Sequence, residues 1–202
     1  MKPKRKIMAK KDQLTTSDHL PYDEYMNLLK GLYEDKEYLF ELYARLSFCT
    51  ACRASDVLQF RWKDVLNSRK CTVTEKKTGK TREIPLNSTV QSKISELYKK
   101  LGSPDKNGYI FTGHDRETPL SIQYVNRRLK TFKVKYRLSI DHFSTHTFRK
   151  TFGRYVYDSH NHSAESLLLL NRILNHSNIE TTKRYIGITK EEINKVFDSI
   201  SF

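Results

Sequence analysis

The residue types that best suit chemistry at a phosphate occur in one order along this chain. They are Arg53, Lys77, His146, Arg149, His176 and Tyr185. Two arginines can grip a phosphate, because the planar guanidinium matches two of its oxygens with paired hydrogen bonds. Histidine and lysine can move protons, and a tyrosine can attack phosphorus and hold it in a covalent bond. None of these residues is diagnostic alone, so the local setting of each decides what it indicates.

Arg53 lies in a turn between two predicted helices. Asp56 follows three residues later, and we expect its carboxylate to hold the guanidinium from behind while other N–H groups face a ligand. A purely structural Arg–Asp pair is the alternative interpretation.

Lys77 lies at the tip of a predicted β-hairpin, within a run of cations. A hairpin can carry an ammonium into a groove, where it could protonate an oxygen that leaves phosphorus. Lys76 and Lys80 are alternatives for this role, and a solvated turn is the structural alternative.

His146 and Arg149 are three residues apart at the start of a predicted helix, so they share one helical face. A helix N-terminus favours anions through its free N–H groups and its dipole. His176 lies in a turn between two predicted helices, where it is either a donor to a phosphate oxygen or a cap.

Tyr185 is one of 12 tyrosines, so its selection as the nucleophile depends on its setting. A phenol has an ordinary pKa of about 10, and nearby cations favour its ionised form. Lys183 and Arg184 directly precede it. The alternative is a tyrosine packed at the end of a helix.

The composition of the chain narrows the classes of molecule that it could bind. The 202 residues suffice for one compact domain with tails, and a net charge of +14 attracts polyanions. No apolar run approaches the roughly 18 residues of a membrane span, and no signal peptide is evident. Nucleic acid in the cytoplasm is therefore expected, with no membrane. Three cysteines fit a reducing compartment, and the lack of phosphate-loop and metal motifs predicts no cofactor and no metal.

The hydrophobic pattern predicts a mostly helical α+β fold with one small antiparallel hairpin. A helical period recurs over about 21–31, 37–49, 54–60, 88–101, 145–157, 164–174 and 177–186, with a basic helix after Ser121. Alternation on both sides of Thr78-Gly79 predicts the hairpin. Ser88 to Gln91 resembles a capping box, and a second one at Thr189 predicts a last helix.

Four segments resemble the motifs of the tyrosine recombinase (phage integrase) family. Thr50–Asp64 resembles its first box, with the first catalytic arginine, and Lys76–Leu86 resembles the hairpin with its lysine. His146–Phe152 and Leu174–Tyr185 resemble the second box, with its His-x-x-Arg, second histidine and nucleophilic tyrosine. The resemblance covers about residues 20–190 and fills all six positions. Two departures are Asn175, where the family usually has glycine, and a longer segment over 158–165.

This resemblance implies a site-specific recombinase that cleaves and rejoins DNA through a 3′-phosphotyrosyl intermediate, for integration, excision or inversion. Arg53, Arg149 and His176 would hold the phosphate, and Tyr185 would attack it. Lys77 would protonate the leaving oxygen, and His146 would act as general acid or base. The alternatives are a type IB topoisomerase and a non-catalytic DNA-binding or architectural protein on the same fold.

The resemblance also implies an organisation and partners. We expect a basic flexible tail over 1–15 (a plain disordered terminus is the alternative), a catalytic domain over 16–188 and a C-terminal helix over 189–202. That helix would pack on its own domain or dock onto a neighbouring protomer. Double-stranded DNA, a tetramer on paired sites and accessory DNA-bending proteins are the expected partners. The cations expected to contact DNA are Lys76, Lys80, Arg82, Arg127, Arg128, Lys130, Lys150, Lys183 and Arg184.

Most members of the family carry a separate helical core-binding domain ahead of the catalytic one, and here only the basic tail stands there. The short invertases of phase variation have this same reduced form. Removal of a preceding domain is the alternative explanation.

Overall fold

The computed structural model describes residues 17–113 and 115–188. The basic tail and the last helix predicted above lie outside these residues. The described elements are, in chain order, α1 (Tyr22–Glu34), α2 (Tyr38–Thr50), α3 (Ala54–Val57), α4 (Trp62–Val65), β1 (Lys70–Thr74), β2 (Thr81–Pro85), α5 (Ser88–Lys100), α6 (Ile122–Lys135), α7 (Thr147–Ser159), α8 (Ala164–Leu174) and α9 (Ile179–Ile186). The predicted fold class, mostly helical with a small hairpin, is confirmed.

The hairpin forms because its two strands alternate in burial and a glycine closes the turn. β1 pairs with β2 in antiparallel register, with Cys71 opposite Ile84. Cys71 and Val73 are buried, while Lys70, Thr72 and Thr74 are exposed. Gly79 has a φ of 69°, a conformation that glycine adopts without steric cost. The turn that carries Lys77 is therefore set by local sequence.

Helix α2 is the centre of the main hydrophobic core. It packs against α1, α5 and α7. Its residues Leu42, Tyr43 and Leu46 are almost completely buried, and Tyr43 meets Phe148 of α7 edge to face. Because α7 begins directly after His146, this packing fixes the position of two candidate site residues on a rigid support.

A second, smaller core lies beneath α7, α8 and α9. Its buried members are Val156, Leu167, Leu170 and Ile186. Gly153 of α7 lets α9 approach closely, since a Cβ there would lie only 2.8 Å from Cγ2 of Ile186. This smaller core positions the helix that carries Tyr185.

Several element boundaries differ from the predictions for identifiable reasons. The N-cap of α5 is Asn87, whose side chain accepts the N–H of Val90, so the predicted cap at Ser88 is wrong by one residue. Helix α9 starts later than predicted, because Asn178 caps it by accepting the N–H of Thr181. Helix α1 continues past Gly31, where the missing side chain makes room for the ring of Tyr136.

None of the described helices is both long enough and apolar enough to cross a membrane.

Candidate active site

Arg53 precedes α3 and is held by a carboxylate that the sequence did not single out. Its Nη1 donates to Oε2 of Glu75 at 2.5 Å, and Glu75 is 1% exposed. Burial alone would raise the pKa of Glu75, but hydrogen bonds from Asn175, Thr78 and Arg53 outweigh it and hold the pKa at about 2. The carboxylate therefore stays ionised and keeps the guanidinium of Arg53 at the site.

This arrangement corrects the role expected for Asp56. Asp56 is buried, but its Oδ1 accepts the backbone N–H of Lys76 at 3.1 Å. It therefore anchors the hairpin turn to α3, while Glu75 provides the carboxylate for Arg53. Asp56 contacts the hairpin and not Arg53 because its side chain, in the first turn of α3, faces the hairpin.

Arg149 is 3% exposed and joins three segments of the chain. Its Nη1 donates to the carbonyl of Ala51 at 2.7 Å, and its Nη2 donates to the carbonyl of Leu174 at 2.6 Å. Burial lowers the pKa of Arg149, and the positive charge of Arg53 lowers it further. Arg53 and Arg149 therefore lie close enough for the charge of one to lower the pKa of the other.

His146 is the N-cap residue of α7 and lies near both arginines. Burial lowers its pKa, and the charges of Arg149, Lys150 and Arg53 act in the same direction. A histidine in such surroundings is neutral near pH 7 and can accept a proton.

His176 follows α8 in the turn before α9. Burial, followed by the charges of Arg149, Arg53 and Lys77, lowers its pKa to about 4. Its Nδ1 lies 3.0 Å from Oγ1 of Thr182, which also accepts an amide N–H of Asn171. Because Oγ1 of Thr182 already accepts from Asn171, we assign its hydroxyl as the donor to Nδ1, which leaves Nε2 of His176 as the N–H donor.

Tyr185 lies in α9 with its hydroxyl buried among these cations. The guanidinium carbon of Arg149 is 5.8 Å from the centroid of its ring, and the ring of His176 is 5.1 Å away. The buried hydroxyl makes no hydrogen bond of normal geometry to a described residue, although the guanidinium of Arg149 lies close enough to act on it as a donor. Burial raises the pKa of Tyr185, and the charges of Arg149 and Arg53 oppose that rise.

Lys77 is exposed in the hairpin turn, and so are its neighbours Lys76 and Lys80. The charge of Lys77 reaches His176, whose pKa it helps to lower. Nζ of Lys80 lies 3.5 Å from Oδ1 of Asn175. This contact engages Lys80, and the choice of Lys77 as the proton donor stays a prediction.

Two cations predicted to contact DNA also have internal partners. Arg82 donates to the carbonyls of Ile173 and Thr50 at 2.5 and 3.3 Å, and it lies 3.5 Å from Glu75. Arg128 pairs with Glu37 at 2.6 Å. These contacts tie both guanidiniums to the fold, and the DNA contacts expected of Arg82 and Arg128 stay predictions for their remaining N–H donors.

The remaining predicted DNA contacts occupy three places. Arg127 and Lys130 are exposed on α6, and Arg184 is exposed beside Tyr185. Lys183 pairs with Glu180 at 2.8 Å. Lys150 is half-buried: its Nζ donates to the carbonyl of Ser17 at 2.6 Å and lies 5.4 Å from the ring of Tyr185. Lys150 therefore belongs to the surroundings of the tyrosine.

Sequence reasoning missed Glu75, although a sign of it was present. Cys71 and Val73 are the inward positions of β1, and the same alternation continues to Glu75. An acidic residue at an inward position, followed by several cations, is a candidate for a buried ion pair. Thr182, which fixes the ring of His176, gave no comparable sign.

Together these residues form a cationic, partly buried site around one tyrosine hydroxyl, which suits covalent transfer at a phosphodiester. The fold and this site define a tyrosine recombinase catalytic domain. The sequence model of the phage integrase family matches residues 19–192, and the chain belongs to that family.

Curated relatives agree with this assignment. The probable integrase/recombinase YoeC of Bacillus subtilis (strain 168) is 34% identical over 169 residues, which cover 81% of this chain and 88% of YoeC. The tyrosine recombinase XerD of Staphylococcus saprophyticus is 26% identical over 192 residues, or 93% of this chain and 61% of XerD. The chain thus spans most of the first relative and about three fifths of the second.

Solved structures share the fold at low sequence identity. XerH recombinase bound to its palindromic difH substrate, in a post-cleavage complex, superposes with a TM-score of 0.70 at 19% identity, over 92% of this chain and 54% of XerH. A lambda integrase tetramer bound to a Holliday junction gives 0.63 at 21% identity, over 86% of this chain and 49% of the integrase.

Proposed function

We propose that this chain is a site-specific DNA recombinase that cleaves and rejoins DNA through a covalent bond between Tyr185 and a 3′-phosphate. One observation carries the proposal. The hydroxyl of Tyr185 is buried, makes no hydrogen bond of normal geometry to a described residue, and lies beside the guanidinium of Arg149 in the positive field of Arg149 and Arg53. A buried polar group without a partner is costly, so a bound phosphate would supply what the free site lacks.

The arginines stabilise the charge that develops when phosphorus becomes five-coordinate. A guanidinium has five N–H donors, and the described contacts use Nη1 of Arg53 and both terminal nitrogens of Arg149. The remaining donors are available to phosphate oxygens. Nε2 of His176 adds a further donor. Fixed donors in a partly dry site stabilise such a charge better than water does, because they need no reorganisation.

The transfer needs two proton movements. As the oxygen of Tyr185 bonds to phosphorus, its phenolic proton passes to neutral His146. As the bond from phosphorus to the 5′ oxygen breaks, that oxygen takes a proton from the ammonium of Lys77. One phosphodiester bond replaces another, so the covalent intermediate can be rejoined without an energy source.

We infer that several copies act together on paired sites in double-stranded DNA. The net charge of +14 supports binding to a polyanion. The lambda integrase neighbour forms a tetramer on a Holliday junction, which makes an assembly of the same kind our expectation for this chain. Accessory DNA-bending proteins remain part of the proposal. The curated relatives are recombinases and integrases, so the topoisomerase alternative is not favoured.

Covalent trapping tests the proposal. The full chain is incubated with duplexes that carry a randomised core and a nick, and DNA that stays bound after denaturation is sequenced and resynthesised. We expect covalent adducts with the wild type and none with Tyr185→Phe, which removes one oxygen and no positive charge, so DNA affinity should persist. An adduct in Tyr185→Phe would assign the nucleophile to another residue. Strand exchange between two selected sites would then distinguish a recombinase from a topoisomerase that only relaxes DNA.

A further inference from the structure

Glu75 lies where three segments of the candidate site meet. Its Oε2 accepts hydrogen bonds from Arg53 at 2.5 Å, from Oγ1 of Thr78 at 2.8 Å and from Nδ2 of Asn175 at 2.9 Å. Arg53 is the N-cap of α3, Thr78 follows Lys77 in the hairpin turn, and Asn175 precedes His176. Oε2 of Glu75 therefore connects Thr78, beside the proposed general acid Lys77, with Asn175, beside His176.

The backbone conformation at position 175 does not require an asparagine. It ends α8 with φ 50° and ψ 50°, a left-handed conformation that glycine adopts more easily. What asparagine adds is its side chain, which donates to Glu75 and lies 3.5 Å from both Nζ of Lys80 and Oγ1 of Thr78. The amide thus contacts the hairpin turn at three points.

The turn is also fixed from the opposite side. The backbone N–H of Lys76 donates to Asp56, and the carbonyl of Glu75 accepts the N–H of Gly79 at 2.8 Å. Lys77 lies between the anchor at Lys76 and the anchor at Thr78. Its backbone position therefore depends on these two contacts, although its own side chain is exposed.

We propose that Glu75 and Asn175 form a positioning pair that holds the Lys77 turn against the His176 turn before DNA binds. The pair acts through Lys77, by placing the ammonium where it protonates the leaving 5′ oxygen. This inference rests on the proposed function. Its strength follows from charge: Glu75 accepts as a carboxylate, and hydrogen bonds to ionised groups are the strong ones in proteins.

A change of the leaving group distinguishes a loss of proton donation by Lys77 from a general loss of active-site structure. The nicked duplex selected by covalent trapping is synthesised twice, with oxygen and with sulfur as the bridging 5′ atom. A thiol has an ordinary pKa of about 8.5, so sulfur leaves as a thiolate without a proton. Lys77→Ala is the reference, because loss of the proton donor should slow cleavage of the oxygen substrate and spare the sulfur substrate.

Asn175→Gly is the main variant, because glycine keeps the left-handed turn and removes only the amide. We expect cleavage of the oxygen substrate to slow by roughly tenfold, the scale of one hydrogen bond to a charged group. Cleavage of the sulfur substrate should match the wild type. Thr78→Val removes the hydroxyl that bonds Glu75 from the hairpin side and should act in the same direction.

Asn161→Gly is the matched control. Asn161 also has a positive φ, 51°, but lies exposed between α7 and α8. This variant should cleave both substrates at the wild-type rate, and thermal unfolding should show that all variants are folded.

Two results would overturn the inference: wild-type cleavage of the oxygen substrate by both Asn175→Gly and Thr78→Val, or a defect in them that persists on the sulfur substrate. A wild-type protein that forms no covalent adduct with any duplex would instead overturn the proposed function itself. The two failures are therefore distinguishable.

Discussion

At the scale of single residues, the candidate site gathers cations around a hydroxyl whose burial opposes ionisation. Burial raises the pKa of Tyr185, and Arg149 and Arg53 lower it again. Burial, followed by the charges of the same arginines, lowers the pKa of His176 to about 4, so that ring is neutral near pH 7. The arginines therefore give the site its positive charge, while its histidines can donate or accept a proton.

Replacement of either arginine by lysine should separate charge from geometry. Arg53→Lys and Arg149→Lys keep one positive charge but lose the planar set of donors. We expect covalent cleavage to fall by about 10³-fold or more, on the scale of single arginines in other phosphoryl transfers, with DNA affinity changed far less. Cleavage rates at saturating protein, compared with binding isotherms, check this. Loss of binding alone would contradict the assignment.

His176 should make folding stability depend on pH. The unfolded histidine has a pKa of 6.5 and the folded one about 4, so the unfolded chain binds more protons between these values. The free energy of unfolding should therefore decrease as the pH falls from 6.5 toward 4. In His176→Gln that decrease should be smaller by about 1–3 kcal/mol, as urea titrations at the two ends of the window would show. The same decrease in both proteins would show that burial of His176 does not persist in solution.

At the scale of elements, α9 depends on the smaller core for its position. Its Ile186 is fully buried against Gly153 of α7, and Tyr185 is the residue before it. A shift of this contact would move the tyrosine relative to Arg149, which α7 also carries. The two helices therefore act as one support for nucleophile and clamp.

Gly153→Ala should disturb this support. Alanine favours a helix over glycine by about 1 kcal/mol, but overpacking costs about 1–3 kcal/mol, and Cγ2 of Ile186 lies on a stiff branched side chain. We expect α9 to shift, cleavage to fall and the melting temperature to decrease. Ile186→Leu, which removes the branch at Cβ, should restore part of the activity in the double variant. Full activity of Gly153→Ala alone would argue against close packing of α7 and α9.

At the scale of the whole molecule, charge is the dominant property. The chain has 37 Lys and Arg residues against 23 Asp and Glu, and internal pairs such as Arg53 with Glu75 use only some of these cations. Cations remain exposed on α6, on the hairpin turn and on α9. Contacts of this type give affinity for the DNA backbone and little choice of sequence.

Deletion of residues 1–15 should flatten the salt dependence of DNA binding. Six cations leave with this segment: Lys2, Lys4, Arg5, Lys6, Lys10 and Lys11. Each lost phosphate contact lowers the slope of log affinity against log salt by roughly 0.9. A salt titration of the full and shortened chains measures the difference. An unchanged slope would show that the segment makes no phosphate contact.

Features that depend on residues close together in the chain could be predicted from the sequence alone. The three-residue spacing of His146 and Arg149 predicts one helical face, and alternation around Gly79 predicts the hairpin, because both patterns follow from local backbone geometry. The order of the six candidate residues then indicated the family. The family is confirmed, and the roles of the six residues stay predictions.

Which charges meet and which groups lose water depends on how distant parts of the chain pack together. Arg53 takes Glu75, 22 residues away, in preference to Asp56 three residues away, and Arg82 turns inward to carbonyls of two distant segments. The burial of the Tyr185 hydroxyl likewise depends on where α7, α8 and α9 pack together. Such pairings follow from the joint packing of remote elements, so local periodicity can show that Glu75 faces inward but not which cation it meets.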